Sequence, residues 1–303
     1  MKKESWGRRF WRLIYPELTY FGVTYVVEFF AIAAIGFYVI LRESMDILDD
    51  FSAFYVEVVE LAMDYTVEMQ TVAAIITLPI LILYYRMDRK RDKKAGRAVR
   101  YTAVEPVKYI IVFLLGAILC LLANNVVVVS GVYSVSSTYT EISQAIFNGK
   151  FIIELIGLGV IVPVVEELIF RGLLYRRFRE YSGVIVSGVF SALIFAAYHG
   201  NLVQGIYAFV IGAALVYVYE RYHSMLAPIL LHIAANLISV IGSETNLFDG
   251  MYSTLKIFWA VTIAAALILI GLVYLIEMFV YSYEIGPEEA PPDERPGQDE
   301  DQQ

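Results

Sequence analysis

The 303-residue chain is 59% hydrophobic and 15% aromatic, with a mean hydropathy of +0.63. Soluble globular domains are nearer one-half apolar, so a soluble fold is excluded. The net charge of -8 does not describe the body, because residues 284–303 hold eight acids against the single Arg295 and carry -7 of it. A near-neutral body gives no case for nucleic acid as a partner, and the single Cys120 has no intrachain partner for a disulfide.

Apolar runs suited to helical spans of about 20 residues fall at roughly 18–41, 71–85, 109–130, 151–170, 184–199, 202–219, 225–242 and 255–281. The expected fold class is therefore all-α, a polytopic transmembrane bundle of about eight helices. The first run follows Lys2, Lys3, Arg8, Arg9 and Arg12; it is too long for a signal peptide and lacks a small-residue cleavage site, so it is a retained anchor. Between the first two runs, Asp46, Asp49, Asp50, Glu57, Glu60, Asp64 and Glu68 accompany Phe51, Phe54, Tyr55, Val58, Leu61, Ala62 and Tyr65 at helical spacing. That pattern predicts an outer amphipathic helix with a solvated acidic face.

Lysine and arginine then set the orientation. The N-terminal bases, the 86–100 loop and the 171–179 stretch (Arg171, Arg176, Arg177, Arg179) fall on one side of the predicted topology. The positive-inside rule makes that side cytoplasmic, with both termini there; the expected location is a prokaryotic cell membrane. The span after His199 contains Gly200, Asn201 and Gly205. Only about 22 Å of helix separates Gly205 from Glu220, against an apolar core of about 30 Å, which predicts a glycine-broken segment beside a buried aqueous cavity. Four regions result: N-terminal spans with the outer helix and basic loop (1–149), a helical core (150–242), a C-terminal span (243–283) and an acidic, proline-bearing, disordered tail (284–303).

Within the core, ionisable groups lie where hydrocarbon makes them costly and functional. Tyr181-Ser182-Gly183 is a natural turn, and Glu166 and His199 each lie about 17 residues from it. In an antiparallel hairpin the two reach the same depth, about 10–15 Å beneath the inner surface. His232, and Asn236 one turn later on the same face, follow the next turn on that side and reach a similar level. Glu166 and Glu167 differ by about 100° around a helix, so they are not expected to point at one spot. Glu167 and Arg171 have the i,i+4 spacing of an ion pair, which leaves Glu166 for chemistry. Pro163 removes a backbone hydrogen bond on the preceding turn. Glu28, Glu154 and Glu277 read as packing or interface groups, and His223 as a turn residue.

These motifs, Glu166-Glu167-x-x-x-Arg171, Phe195-x-x-x-His199 and His232-x-x-x-Asn236, in that order on successive helices, resemble the three signatures of the CPBP intramembrane endopeptidases, which include type II CAAX prenyl proteases and bacteriocin-processing or immunity proteins. The resemblance covers about residues 150–242. It implies a helical bundle with a cytoplasm-facing cavity, Glu166 as water activator, His199 as its partner, and His232 with Asn236 as the oxyanion site.

Elementary chemistry reaches the same assignment. A desolvated carboxylate takes a proton from water that an imidazole holds in place, and the hydroxide attacks an amide whose oxyanion two donors stabilise. The substrate is then a membrane-anchored or prenylated protein or peptide, delivered within the bilayer. No cofactor is required; the alternative is a catalytic zinc on Glu166, His199 and His232. A transporter would also place such groups at mid-depth, but it predicts internal repeats and none is visible. A scaffold with this fold would have lost a motif residue, and all are present.

Overall fold

Lipid offers the backbone no hydrogen-bonding partner, so long apolar runs close their amide bonds within helices. The computed structural model describes residues 5–43, 47, 49–130, 150–245 and 248–288. They form α1 (Trp6–Glu43), α2 (Phe51–Asp64), α3 (Thr66–Lys94), β1 (Val99–Tyr101), α4 (Tyr109–Ser130), α5 (residues 151–179), α6 (Val184–Tyr198), α7 (Leu202–Tyr222), α8 (Leu226–Glu244), α9 (Leu255–Phe279) and β2 (Glu284–Pro287). Among the described residues, six helices are long and apolar enough to cross a membrane. The other two predicted spans are α5 and the fifteen-residue α6. The chain is an all-α, polytopic integral membrane protein.

The predicted outer amphipathic helix is α2, capped by the Asp50 carboxylate, which accepts from the Ala53 amide at 3.0 Å. Phe54 and Val58 turn inward against Gly36 of α1.

Two expectations are corrected. The span after His199 is not broken by glycine: α7 runs unbroken for 21 residues, about 31 Å and enough to cross. Gly200 and Asn201 precede it, with the Asn201 side chain accepting from the Gln204 amide as N-cap. Gly205 lies inside the helix, where an added Cβ would meet the Ala196 carbonyl at 3.4 Å, so it serves the close approach of α6 and α7 instead of ending a helix.

The acidic tail is the second correction. Residues 284–287, placed in a disordered tail, begin it as β2, which pairs antiparallel with β1. Glu288 accepts from Lys93 at 2.8 Å and pairs with Arg89. The basic loop supplies both a strand edge and counter-charges, which the composition of the tail alone does not register. Residues 289–303 lie outside the described residues.

All three basic clusters meet at one end of the bundle. Arg177 of α5, 1% exposed, donates to Asp88 of α3 at 2.6 Å, to the Tyr15 hydroxyl at 2.6 Å and to the Arg12 carbonyl. Glu180 accepts from Arg12 at 2.7 Å and from Arg91, and Arg176 reaches Asp92 at 2.9 Å. Glu277 accepts from Tyr217 and Arg221 at the same end, the interface role expected of it.

Candidate active site

Helix α5 is irregular where it carries the first motif. It widens to π geometry over Gly157–Ile161 and again over Leu168–Tyr175, a distortion that concentrates at functional sites. Pro163 explains the first widening's consequence. The Val162 amide bonds five residues back to the Gly157 carbonyl, and Pro163, next in that register, has no N–H to offer Leu158. The Leu158 carbonyl is therefore left for a side chain, and the Asn236 amide nitrogen donates to it at 2.9 Å.

Glu167 and Arg171, both 0% exposed, form the expected ion pair at 2.9 Å. The guanidinium also donates to the Gly212 carbonyl of α7 at 3.0 Å and lies 4.6 Å over the Phe195 ring. A side chain at Gly212 would press on Ala192 and on the guanidinium itself, at 3.2–3.3 Å. This glycine was missed in the sequence; its only signal is a small residue inside an otherwise bulky apolar run.

The same Glu167 oxygen accepts from His232 Nδ1 at 2.9 Å. His232 Nε2 faces Glu166 Oε2 at 3.5 Å. The two glutamates thus converge on one imidazole, which corrects the expectation that they cannot share a target. An imidazole presents nitrogens on two edges, so side chains diverging from adjacent positions each reach one. Glu167 is acceptor-only when paired with Arg171, so Nδ1 carries the hydrogen in this contact. Nε2 is then the nitrogen left facing Glu166.

His199 ends α6. Its Nδ1 donates to the Phe195 carbonyl at 2.8 Å, which leaves Nε2 as the free edge of the ring. The Phe195 ring meets both His199 and His232 edge-on, with centroids 4.8 and 5.6 Å away, and so spaces the two imidazoles.

Glu166, His199, His232 and Asn236 all line one cavity of ≈ 420 Å³. The convergence expected of these four is present; Glu167 and Arg171 lie behind them, buried. The picture of His232 and Asn236 as two donors aimed at one oxygen changes in detail, because one Asn236 hydrogen goes to Leu158 and His232 Nε2 faces Glu166. Among the described residues no three His, Cys, Asp or Glu side chains cluster closely enough to hold a metal ion.

Phe170, Leu173 and Tyr175 of α5 and Leu215 and Val218 of α7 are fully buried. The cavity lining is part-exposed at Thr24, Gln70, Asn124, Leu158, His199, Gln204 and Ser239. Depth below the basic surface was legible from residue counts.

Residues 148–238 match the family model described as type II CAAX prenyl endopeptidase, Rce1-like. The matched segment holds all three motifs and agrees with the resemblance they carry. No curated protein and no solved structure matches the chain.

Proposed function

We propose that this chain is an intramembrane endopeptidase, hydrolysing a peptide bond close to a lipid-embedded anchor such as a prenyl chain or a transmembrane segment. The observation that carries the reading is the buried relay in which Glu167, held by Arg171, grips His232, whose other nitrogen faces Glu166 on the cavity wall. Glu166 takes the proton of a water held with His199 Nε2, and the hydroxide adds to the amide carbonyl. The proton passes to the leaving amine. His232 protonated at Nε2, and the second hydrogen of Asn236, are the donors nearest the developing oxyanion. With Glu166 as the base and His199, His232 and Asn236 as its partners and donors, the proposed reaction uses no metal.

Glu166→Gln tests it, since shape is kept and the base is lost: hydrolysis of a lipid-anchored peptide falls to background while the protein stays folded. Activity equal to the parent overturns the assignment. Chelation with zinc add-back tests the cofactor separately, and loss restored by stoichiometric zinc replaces glutamate-activated water with metal-bound hydroxide.

A further inference from the structure

Two phenols share the cavity with Glu166, and the relay through His232 uses neither. Tyr20 of α1 is 4% exposed, Tyr198 is the last residue of α6, and both line the cavity. Arg177 ties α5 to α1 by donating to the Arg12 carbonyl. From that tie Tyr20 lies about 12 Å along α1 and Glu166 about 16 Å along α5, so the two reach a similar depth. Phe170, one turn after Glu166, meets the Tyr198 ring edge-on with centroids 5.5 Å apart, and the Tyr198 and Tyr20 rings stack at 6.4 Å. The two side chains hydrogen-bond to each other, and the charge of Glu166 acts on both. One bond between two hydroxyls uses one of their two hydrogens and leaves the other for the cavity. Thr24, the next hydroxyl along this wall, spends its hydrogen on the Tyr20 carbonyl at 3.0 Å.

The attacking water has a place for such a donor. With its Nδ1 hydrogen given to the Phe195 carbonyl, His199 offers only an acceptor at Nε2. A water between Glu166 and His199 therefore donates both hydrogens, one to each. Its oxygen keeps two lone pairs, of which one attacks the amide carbon and the other accepts. A donor there favours hydroxide over water, as hydrogen bonds to a charged form do.

Resting on the peptidase reading above, we propose that Tyr20 is a further catalytic residue, donating its phenolic hydrogen to the oxygen of the water that Glu166 deprotonates, with Tyr198 as the positioning residue that aims it. The proton balance is unchanged: Glu166 takes the proton of the water, and the phenol keeps its own. Tyr20 lies outside residues 148–238, so a helix beyond the family match completes the site.

Phenylalanine at either position keeps the ring and removes the hydroxyl. On the full-length protein with a lipid-anchored peptide, and with rates taken per folded molecule, Tyr20→Phe should lower kcat roughly tenfold or more, the rate equivalent of one lost hydrogen bond to a charged group, with KM unchanged. Tyr198→Phe should lower kcat less and add little when placed on Tyr20→Phe. A Tyr20→Phe kcat equal to the parent's, with Glu166→Gln inactive, overturns the proposal and leaves the peptidase reading intact. So does a raised KM at unchanged kcat, because the hydroxyl then serves substrate binding alone. Independent losses at the two tyrosines overturn the positioning role of Tyr198. Absence of any Glu166-dependent hydrolysis in the parent removes the proposal and the peptidase reading together.

Discussion

Asn236 of α8 donates its side-chain amide to the main-chain carbonyl of Leu158 in α5, at 2.9 Å. The carbonyl is available because Pro163 cannot supply the amide hydrogen due to it in the π register set by Val162 and Gly157. Pro163 thereby orients Asn236 on the cavity wall, which makes the proline a positioning residue for the proposed oxyanion donor.

Pro163→Ala returns that hydrogen and lets the backbone compete with Asn236 for Leu158. Turnover should fall roughly tenfold, the rate equivalent of one lost hydrogen bond, with folded protein retained or increased. The distinguishing readout is a double-variant cycle: Pro163→Ala should add little to Asn236→Ala. Full additivity would mean the proline acts on something other than the asparagine.

Arg171→Ala should behave differently from Glu166→Gln. It strands the Glu167 carboxylate in a site with 0% exposure and removes the donor to Gly212, costing about 3–5 kcal/mol of stability. Arg171→Lys keeps the charge but loses the planar fork, so it should fall between. Thermal unfolding in detergent checks the order; an unchanged midpoint for Arg171→Ala would refute the structural weight given to the pair.

Acid should loosen the basic end through Glu180. Burial raises this carboxyl, but the hydrogen bond from Arg12 and the charges of Arg12, Arg91 and Arg97 outweigh it and hold it below the usual 4.5. A depressed folded value contributes stability above that usual value, which is lost as pH falls through the folded one. Hydrogen exchange at the 180–183 turn should therefore accelerate as pH falls below 4.5 and through the depressed folded value. Glu180→Gln should exchange faster at neutral pH and lose most of that acid dependence; an identical acid response would place the titration elsewhere.

Much of this arrangement was legible before any coordinates. Helical fold class, the Tyr181–Gly183 turn, the Glu167–Arg171 pair and the convergence of Glu166, His199, His232 and Asn236 follow from periodicity, charge placement and rise per residue, because those are local rules that lipid enforces strongly. What the chain did not disclose depends on contacts between distant segments. Gly212 and Leu158 act through main-chain carbonyls, which every residue carries. The ordering of residues 284–288 depends on a strand edge at Val99–Tyr101. The π widening of α5 follows no apolar period, although Pro163 five residues after Leu158 marks where its effect falls.

The relay through His232 yields the sharpest chemical prediction. In the proposed reaction Glu167, accepting from Nδ1, leaves Nε2 of His232 toward Glu166. Glutamine at position 167 can accept from Nδ1 through its oxygen or donate to it through its amide, so both tautomers become populated and the charge supporting an imidazolium is gone. Glu167→Gln should lower turnover on the order of a hundredfold, although position 167 is fully buried behind the cavity wall. A purely structural role would reduce the amount of folded enzyme and leave turnover per folded molecule unchanged. Placed on His232→Ala, the substitution should have little further effect on turnover, because the group it acts through is absent, while its destabilisation through Arg171 should persist. Rates normalised to folded protein across the four members of that cycle decide the matter. Independent, multiplicative losses would show that Glu167 serves the reaction by a route other than the imidazole of His232.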